Sequence, residues 1–579
     1  MTKWIFKISI TANALLLFFF APAYADVQSQ AVTSALSTND IKKTFQGGLL
    51  NLPSVEAKIK AKVDLSAQII IEDHLISARP FILKKVIIED TAPCNPKIFL
   101  PLYQGYIGKQ LTNENVKTIL LSIKKYYNKA GYFLMMPDVP KPNFINGVLR
   151  IRMVKGKITK INVKADDPKV EALLHKYAEK IKNMPNPNRQ ILEYYNTLLN
   201  DYPGLQVYVV LTPIASSQPG NFELSLIGKQ KRFIPLFNAN NNGTRYFGRS
   251  LYYGRVTLPS LLQAGDALNV VGGTSSEPKR LQYGQLSYEF PLNMSGDRLN
   301  VYTIGSRTNP GFVLEPFKQV TTAYTAGLTL KHPIFLDIYN KWYAYGTVEG
   351  VNTRISLLSQ PFVKQDYRSL RLGSTYVWGD PTRAQNQLRL EASQGINTGD
   401  TQQKLLNPSF FYPLGDLSYT KINFYAASRE VLTQHFSSNI ALTAQYGFEP
   451  LVQNEKFSFG GTEFGLAYDP GEFLGDTGAA AIFELDYNQL LSYRYLNLVQ
   501  YFSYYDFGVV SNRDPALLGK QTAASAGAGV RISFTNTISG SLELDKPLTH
   551  NLDTAVIAGE SPKPWRTFFS LQYIPERYK

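Results

Sequence analysis

Cysteine occurs once in 579 residues, at Cys94, so no internal disulfide and no thiolate cluster can form. Only five histidines accompany it, scattered along the chain, which leaves no plausible metal-ligand set. No Gly-x-Ser-x-Gly, His-Glu-x-x-His or phosphate-loop pattern is present, and His435 and His550 stand in no triad-like context. The expectation is a protein that is not an enzyme and carries no cofactor and no metal. Long apolar runs are also missing beyond the N-terminus, so no transmembrane helix is expected. Cys94 lies far from the start of the chain, which excludes a lipoprotein acylation site and leaves it as a small buried side chain.

The N-terminus has a secretory layout. Lys3 and Lys7 precede the apolar stretch Ile8 to Phe20, and Ala23-Tyr24-Ala25 offers small residues for cleavage. Residues 1–25 are read as a signal peptide, since that stretch is short for a span of ~20 helical residues. The net charge of +15 is spread through the chain without a Lys/Arg block, so nucleic acid is not the expected partner. Tyrosine and phenylalanine are abundant, at 36 and 33, as aromatic girdles of a membrane barrel require.

Two rhythms divide the rest. Residues 26–77 are weakly patterned, with Gly47-Gly48 and Pro53 interrupting any long helix and Ser54 to Lys62 able to form a short one. From 78 to 230 a mixed pattern occurs twice. In the first copy Phe81 to Glu89 is strand-like, and Thr112 caps a helix in which Val116, Ile119, Ile123 and Tyr126 recur before Gly131. Leu149, Ile151 and Met153 then alternate with Arg150 and Arg152. The second copy runs from a strand at Ile158 to Val163 through helices around Val170 to Ile181 and Arg189 to Asn200. Alternating strands follow, through Val207, Val209 and Leu211 and through Phe222, Leu224 and Leu226. Two α+β units, 78–155 and 156–230, fit this order.

After Lys229 the helical period stops. Leu370, Leu372, Tyr376 and Trp378, then Leu388 and Leu390, then Ile440, Leu442 and Tyr446, then Phe569, Leu571 and Tyr573 alternate with polar and charged residues. Arginine, lysine and glutamate recurring on one face suit a wet barrel interior with lipid outside, where a soluble sandwich or propeller would need an apolar core. At roughly 22 residues per strand with its turns, residues 231–579 suit about 16 antiparallel strands.

Leu149 to Val163, Ile191 to Leu211, Asn240 to Leu268, Tyr504 to Val509, Ala526 to Ile532 and Leu542 to Leu548 resemble, in order, successive parts of one family. That family is the haemolysin-activator-type two-partner secretion transporters, in which paired POTRA domains precede an outer-membrane β-barrel. The resemblance implies a pore that secretes a partner exoprotein bound by the POTRA domains. It implies an outer-membrane location, contact with lipid and with the barrel-assembly machinery, and a plug helix and linker within 26–77. A barrel-assembly insertase and a passive channel or receptor are the alternatives; insertases commonly carry more POTRA units, and a porin needs none. The cargo-binding edge implied in POTRA 2 holds Leu205, Val207, Val209 and Leu211.

Phe457 to Gly478 resembles the loop that folds back into the lumen in this family. Its expected lumen residues are Gly460, Gly461, Phe464, Leu466, Tyr468 and Asp476, and its wall partners are Asp506 and Gly508. The family places an arginine where Leu466 stands and a glycine where Ala467 stands, and no Lys or Arg occurs between Lys456 and Arg494. Asp506 therefore needs another donor or a proton, and the loop is expected to dock by packing of Phe464, Leu466 and Tyr468. The C-terminal strand ends near Tyr573, with Tyr578 and Lys579 beyond it, so the assembly machinery would read Tyr573 or Tyr578.

Overall fold

The computed structural model describes residues 81–574 except 141–143, 186, 215–219, 381, 399–400, 407–413, 494 and 535–536, together with Ile41 and Lys43. The signal peptide, most of segment 26–77 and the tail holding Tyr578 lie outside the described residues. Two α+β units precede a closed barrel.

In the first unit the helix Asn113–Lys129 starts at Thr112, whose hydroxyl accepts from Asn115 N while the Asn115 side chain returns to the Thr112 backbone. Val116, Ile119, Leu120 and Ile123 bury their side chains against Leu149, Ile151 and Met153 of strand Val148–Lys155. That strand is central, pairing in parallel with Lys85–Glu89 and antiparallel with Met135–Asp138. The buried aromatic is Tyr127, whose hydroxyl donates to the Thr91 carbonyl at 2.7 Å, while Tyr126 packs at the margin. Cys94 also sits at that margin, half-buried rather than enclosed.

The second unit has the strand Lys157–Ala165, helices Pro168–Lys182 and Arg189–Asn200, and strands Leu205–Pro213 and Asn221–Gln230. Asn221–Gln230 is central, so Lys157–Ala165 and Leu205–Pro213 are the two edges. Asp167 and Asn188 cap the helices through their side-chain oxygens. Leu174, Tyr177, Leu198, Leu199, Leu224 and Leu226 close the core, and the cluster continues into Leu336 and Tyr343 of the barrel. Each such fully buried leucine contributes roughly 1.5–3 kcal/mol.

The unit is tied to the barrel by charge as well. Asp201, just past the second helix, meets Arg298 at 3.3 Å and Lys341 at 3.2 Å, accepts from the Tyr343 hydroxyl at 2.8 Å, and has Lys331 at 4.0 Å. Burial alone would raise its pKa, but Lys331, Lys341 and Arg298 outweigh that and hold it well below the ordinary carboxylate range.

Sixteen antiparallel strands close the barrel, counting Ala384–Ile396 and Gln402–Leu405 as one interrupted strand because both pair with Gln360–Trp378. Leu372, Leu390, Ile440, Leu442, Phe507 and Leu571 lie exposed on the outside. Arg371, Glu349, Glu391, Glu484, Arg531 and Glu543 line the inside. This is the inside-out pattern that a lipid-embedded barrel demands. First and last strands, Ile234–Asn240 and Arg566–Tyr573, close by a short register from Phe237↔Tyr573 to Asn240↔Ser570. Beyond it the Asn241 side chain extends the pairing, accepting from Phe569 N at 2.7 Å and donating to Thr567 O at 2.9 Å. A short helix, Asp553–Ile557, breaks the expectation that no helical turn follows Lys229; it lies in the loop before the last strand.

Candidate functional site

Between strands Phe436–Gly447 and Thr477–Tyr493 the chain leaves the wall at the end opposite the second unit and folds back as a hairpin. Its arms are Phe457–Phe459 and Phe473–Gly475. Gly460 (φ 115°) and Gly461 (φ 112°) turn it in a left-handed region that an L side chain avoids. The hairpin lies within the lumen, with polar cavities of about 890 and 710 Å³ on either side. Phe464 and Tyr468 are buried with Phe459 and Phe473, and Leu466 packs half-buried against them. Gly508 of the wall is required by this packing, because a Cβ there would stand 2.2 Å from the Phe459 ring.

Asp506 is fully buried and accepts from four neutral donors. Gly465 N and Leu466 N bind one oxygen, each at 2.9 Å; Ser525 N at 3.1 Å and the Ser525 hydroxyl at 2.5 Å bind the other. The hairpin backbone thus occupies the place that an arginine side chain takes in the resemblance. Tyr468 adds a hydroxyl bond to the Ala524 carbonyl at 3.1 Å.

Ionic anchoring exists, with its polarity reversed. Asp469 of the hairpin pairs with Arg566 of the last strand at 2.7 Å, and Arg566 also donates to the Ala467 carbonyl at 2.9 Å. At one foot Glu455 is buried between Arg371 and Lys421, each at 2.8 Å, and accepts from the Tyr367 hydroxyl at 3.0 Å. At the other foot Asp476, fully buried, accepts from Leu451 N and Arg513 N at 2.8 Å and pairs with Lys456 at 3.1 Å. Charge thus adds to the packing of Phe464, Leu466 and Tyr468: Glu455 and Asp469 of the hairpin meet cations on the wall. Glu455, Asp469, Arg566, Arg371 and Lys421 escaped the sequence reading because they are brought together across 97, 84 and 34 positions. The visible signal was the loop composition, with acids at 455, 463, 469, 472 and 476 against the single Lys456.

The second candidate surface is the edge strand Leu205–Pro213. Leu205, Val207, Val209 and Leu211 point their side chains into the core of the second unit. What the edge offers is therefore backbone. Val207 bonds the Asn200 side chain through both its N–H and its carbonyl, so its polar groups face away from the sheet. Alternation turns those of Val209 and Leu211 the same way. The strand holds no charged residue, whereas the opposite edge Lys157–Ala165 carries Lys157, Lys160 and Lys164. Charge is how sheets ordinarily guard an edge, and only one edge here is guarded by it.

Residues 227–532 match the family of the haemolysin secretion/activation proteins ShlB/FhaC/HecB, and residues 81–156 match the POTRA domain of ShlB type. The heme/hemopexin transporter protein HuxB of Haemophilus influenzae is 21% identical over 469 residues, covering 78% of this chain and 81% of that protein. CdiB from Escherichia coli shares the fold with a TM-score of 0.68 at 15% identity, covering 94% of this chain and 98% of its own. CdiB from Acinetobacter baumannii gives 0.56 at 14% identity, covering 95% and 99%. A POTRA domain, a sixteen-stranded barrel and a family match over more than half the chain agree. The chain belongs to the ShlB/FhaC/HecB haemolysin secretion/activation family, as an outer-membrane barrel of two-partner secretion.

Proposed function

We propose that both α+β units stand in the periplasm as POTRA domains and that POTRA 2 receives an unfolded exoprotein on the edge Leu205–Pro213, which then passes through the lumen. The observation that carries this reading is the open, uncharged edge on a unit fixed to the barrel mouth by Asp201. An extended segment adds to such an edge by main-chain hydrogen bonds, which are tolerant of sequence. The hairpin, held at tip and feet, acts as a fixed part of the pore lining. Polar walls on either side of it give a sliding chain no strong apolar trap, and folding of the cargo outside supplies direction. Lipid surrounds the exposed apolar face, and the barrel-assembly machinery inserts the barrel. Ile41, helical and packed on Tyr253, Val271, Tyr283 and Ile304 of the lumen, is assigned to a plug. Covalent chemistry has no part in this transport.

The test is Val209→Pro, which deletes an N–H on the open edge, with Val210→Lys as a milder variant that guards the edge with charge. Both are expected to reduce crosslinking of cargo to this strand and to cut secretion by more than tenfold, while heat-modifiable migration of the barrel stays normal. Secretion at the wild-type rate by both folded variants would reject the edge.

A further inference from the structure

Two parts of the edge are already occupied: Leu205 N donates to the Tyr202 carbonyl at 3.2 Å, and Asn200 holds Val207. Asn200 Oδ1 accepts from Val207 N at 2.9 Å and its Nδ2 donates to the Val207 carbonyl at 3.0 Å. A side-chain amide here supplies the same donor and acceptor that a neighbouring strand would supply. The same device closes the barrel seam, where the Asn241 amide pairs with the backbone of the last strand. At the far end of the edge Pro213 has no N–H, so strand addition ends there. Between Val207 and Pro213, the backbone of Val209 and Leu211 on this edge meets no hydrogen-bond partner among the described residues.

The occupation is cheap to undo. Asn200 Nδ2 has three acceptors within reach: the Val207 carbonyl, the Asn196 carbonyl at 2.8 Å and Asn196 Oδ1 at 3.1 Å. An amide nitrogen has two hydrogens, so one acceptor is surplus. If the side chain swings away from Val207, both hydrogens keep acceptors on Asn196. The Asn196 Nδ2 is buried without a partner next to it, a donor for the oxygen that Val207 would release. The helix can thus reabsorb what the edge gives up.

We propose that Asn200 is a displaceable placeholder for the first residue of the incoming cargo strand, filling Val207 until the cargo arrives. The inference rests on the edge reading above. It extends the docking strip from Val209–Leu211 to Val207–Leu211, matching an extended segment of about five residues. It also gives the idle transporter a defence against pairing its edge with another copy.

The experiment uses the full chain in detergent with Cys94→Ser. The probe is a urea-unfolded amino-terminal domain of a secreted β-helical exoprotein, carrying single cysteines. In the otherwise wild-type chain Gln206→Cys, next to Val207, should crosslink to the probe as readily as Thr212→Cys. Asn200→Ala and Asn200→Leu should each bind the probe roughly three- to tenfold tighter, as expected when one net hydrogen bond no longer has to be broken. Hydrogen exchange at the Val207 amide should quicken in both variants without probe and slow again with it. Unchanged or weaker binding by the folded variants, with no crosslink at Gln206→Cys, overturns the placeholder. If Val209→Pro still abolishes binding in that case, the edge itself stands. If Val209→Pro binds like wild type, both fall. Should the Asn200 variants not fold, the crosslink at Gln206→Cys decides alone.

Discussion

Two aspartates, Asp201 partly buried and Asp506 fully buried, hold two junctions of this pore, and they are held by opposite chemistry. Asp201 fastens the second α+β unit to the barrel mouth and is surrounded by Arg298, Lys331 and Lys341. Asp506 receives the lumen hairpin and accepts its hydrogen bonds from backbone N–H groups and a serine hydroxyl. Cations attract a carboxylate from any direction, so the first junction tolerates a small shift of the second unit against the barrel. Neutral N–H donors fix position and angle, so the second junction works only when the hairpin is already folded into place. The lesson is that at the mouth charge adds to the apolar contact with Leu336 and Tyr343, whereas the hairpin tip is placed by shape and its feet and flank by Glu455 and Asp469.

The largest expected effect breaks the first junction. Asp201→Ala leaves Lys331, Lys341 and the Tyr343 hydroxyl without their anion and Arg298 with Glu289 alone, at a loss of about 1.5–3 kcal/mol of docking. Spin-label distances between the second unit and the barrel should broaden accordingly, and a distribution as narrow as wild type would contradict the role given to Asp201. Its pH dependence follows from the depressed pKa. The docking it provides is complete above the unfolded carboxylate value, near 4, and is lost only as pH falls through the lower folded value. Label distances should therefore not change between pH 5 and 8.

A smaller effect separates the two junctions. Leu466→Arg restores the arginine of the family pattern, and the sequence alone suggests that it would pair with Asp506. All four acceptor positions of that carboxylate are filled, so the new guanidinium finds no vacant lone pair. The guanidinium replaces a half-buried leucine and gains no partner on Asp506, so the barrel is expected to lose about 1 kcal/mol of stability. A stabilisation of several kcal/mol would show that Asp506 prefers a cation and that the neutral site is not its ground state.

The barrel was legible because its two faces face different solvents. Leu372 and Leu390 lie outside while Arg371, Arg389 and Glu391 line the lumen, a period-two pattern that no soluble core produces. Helix positions were legible to within one residue: Thr112 caps as expected, but the buried ring is Tyr127 and not Tyr126, since both stand near the boundary of the apolar stripe. The hairpin glycines were legible through the resemblance alone, and their positive φ shows why glycine stands there. Its ion pairs were not, because Arg566 and Arg371 look like any lumen-facing arginine until the barrel closes. Asp201 was missed for a related reason: one aspartate after a helix carries no mark of the three cations that wait on another domain. Asn200, read simply as a helix end, required the register of the edge before its amide meant anything.

Locking the hairpin to the wall tests the central claim most directly. Ala467 N lies 3.4 Å from the Ser525 hydroxyl, so cysteines at 467 and 525, with Cys94→Ser, place a tether across the contact. If the hairpin is a fixed part of the pore lining, secretion of cargo continues at the wild-type rate when the disulfide is closed, with reduction making no difference. Secretion that stops on oxidation and returns on reduction would contradict the account and make the hairpin a gate.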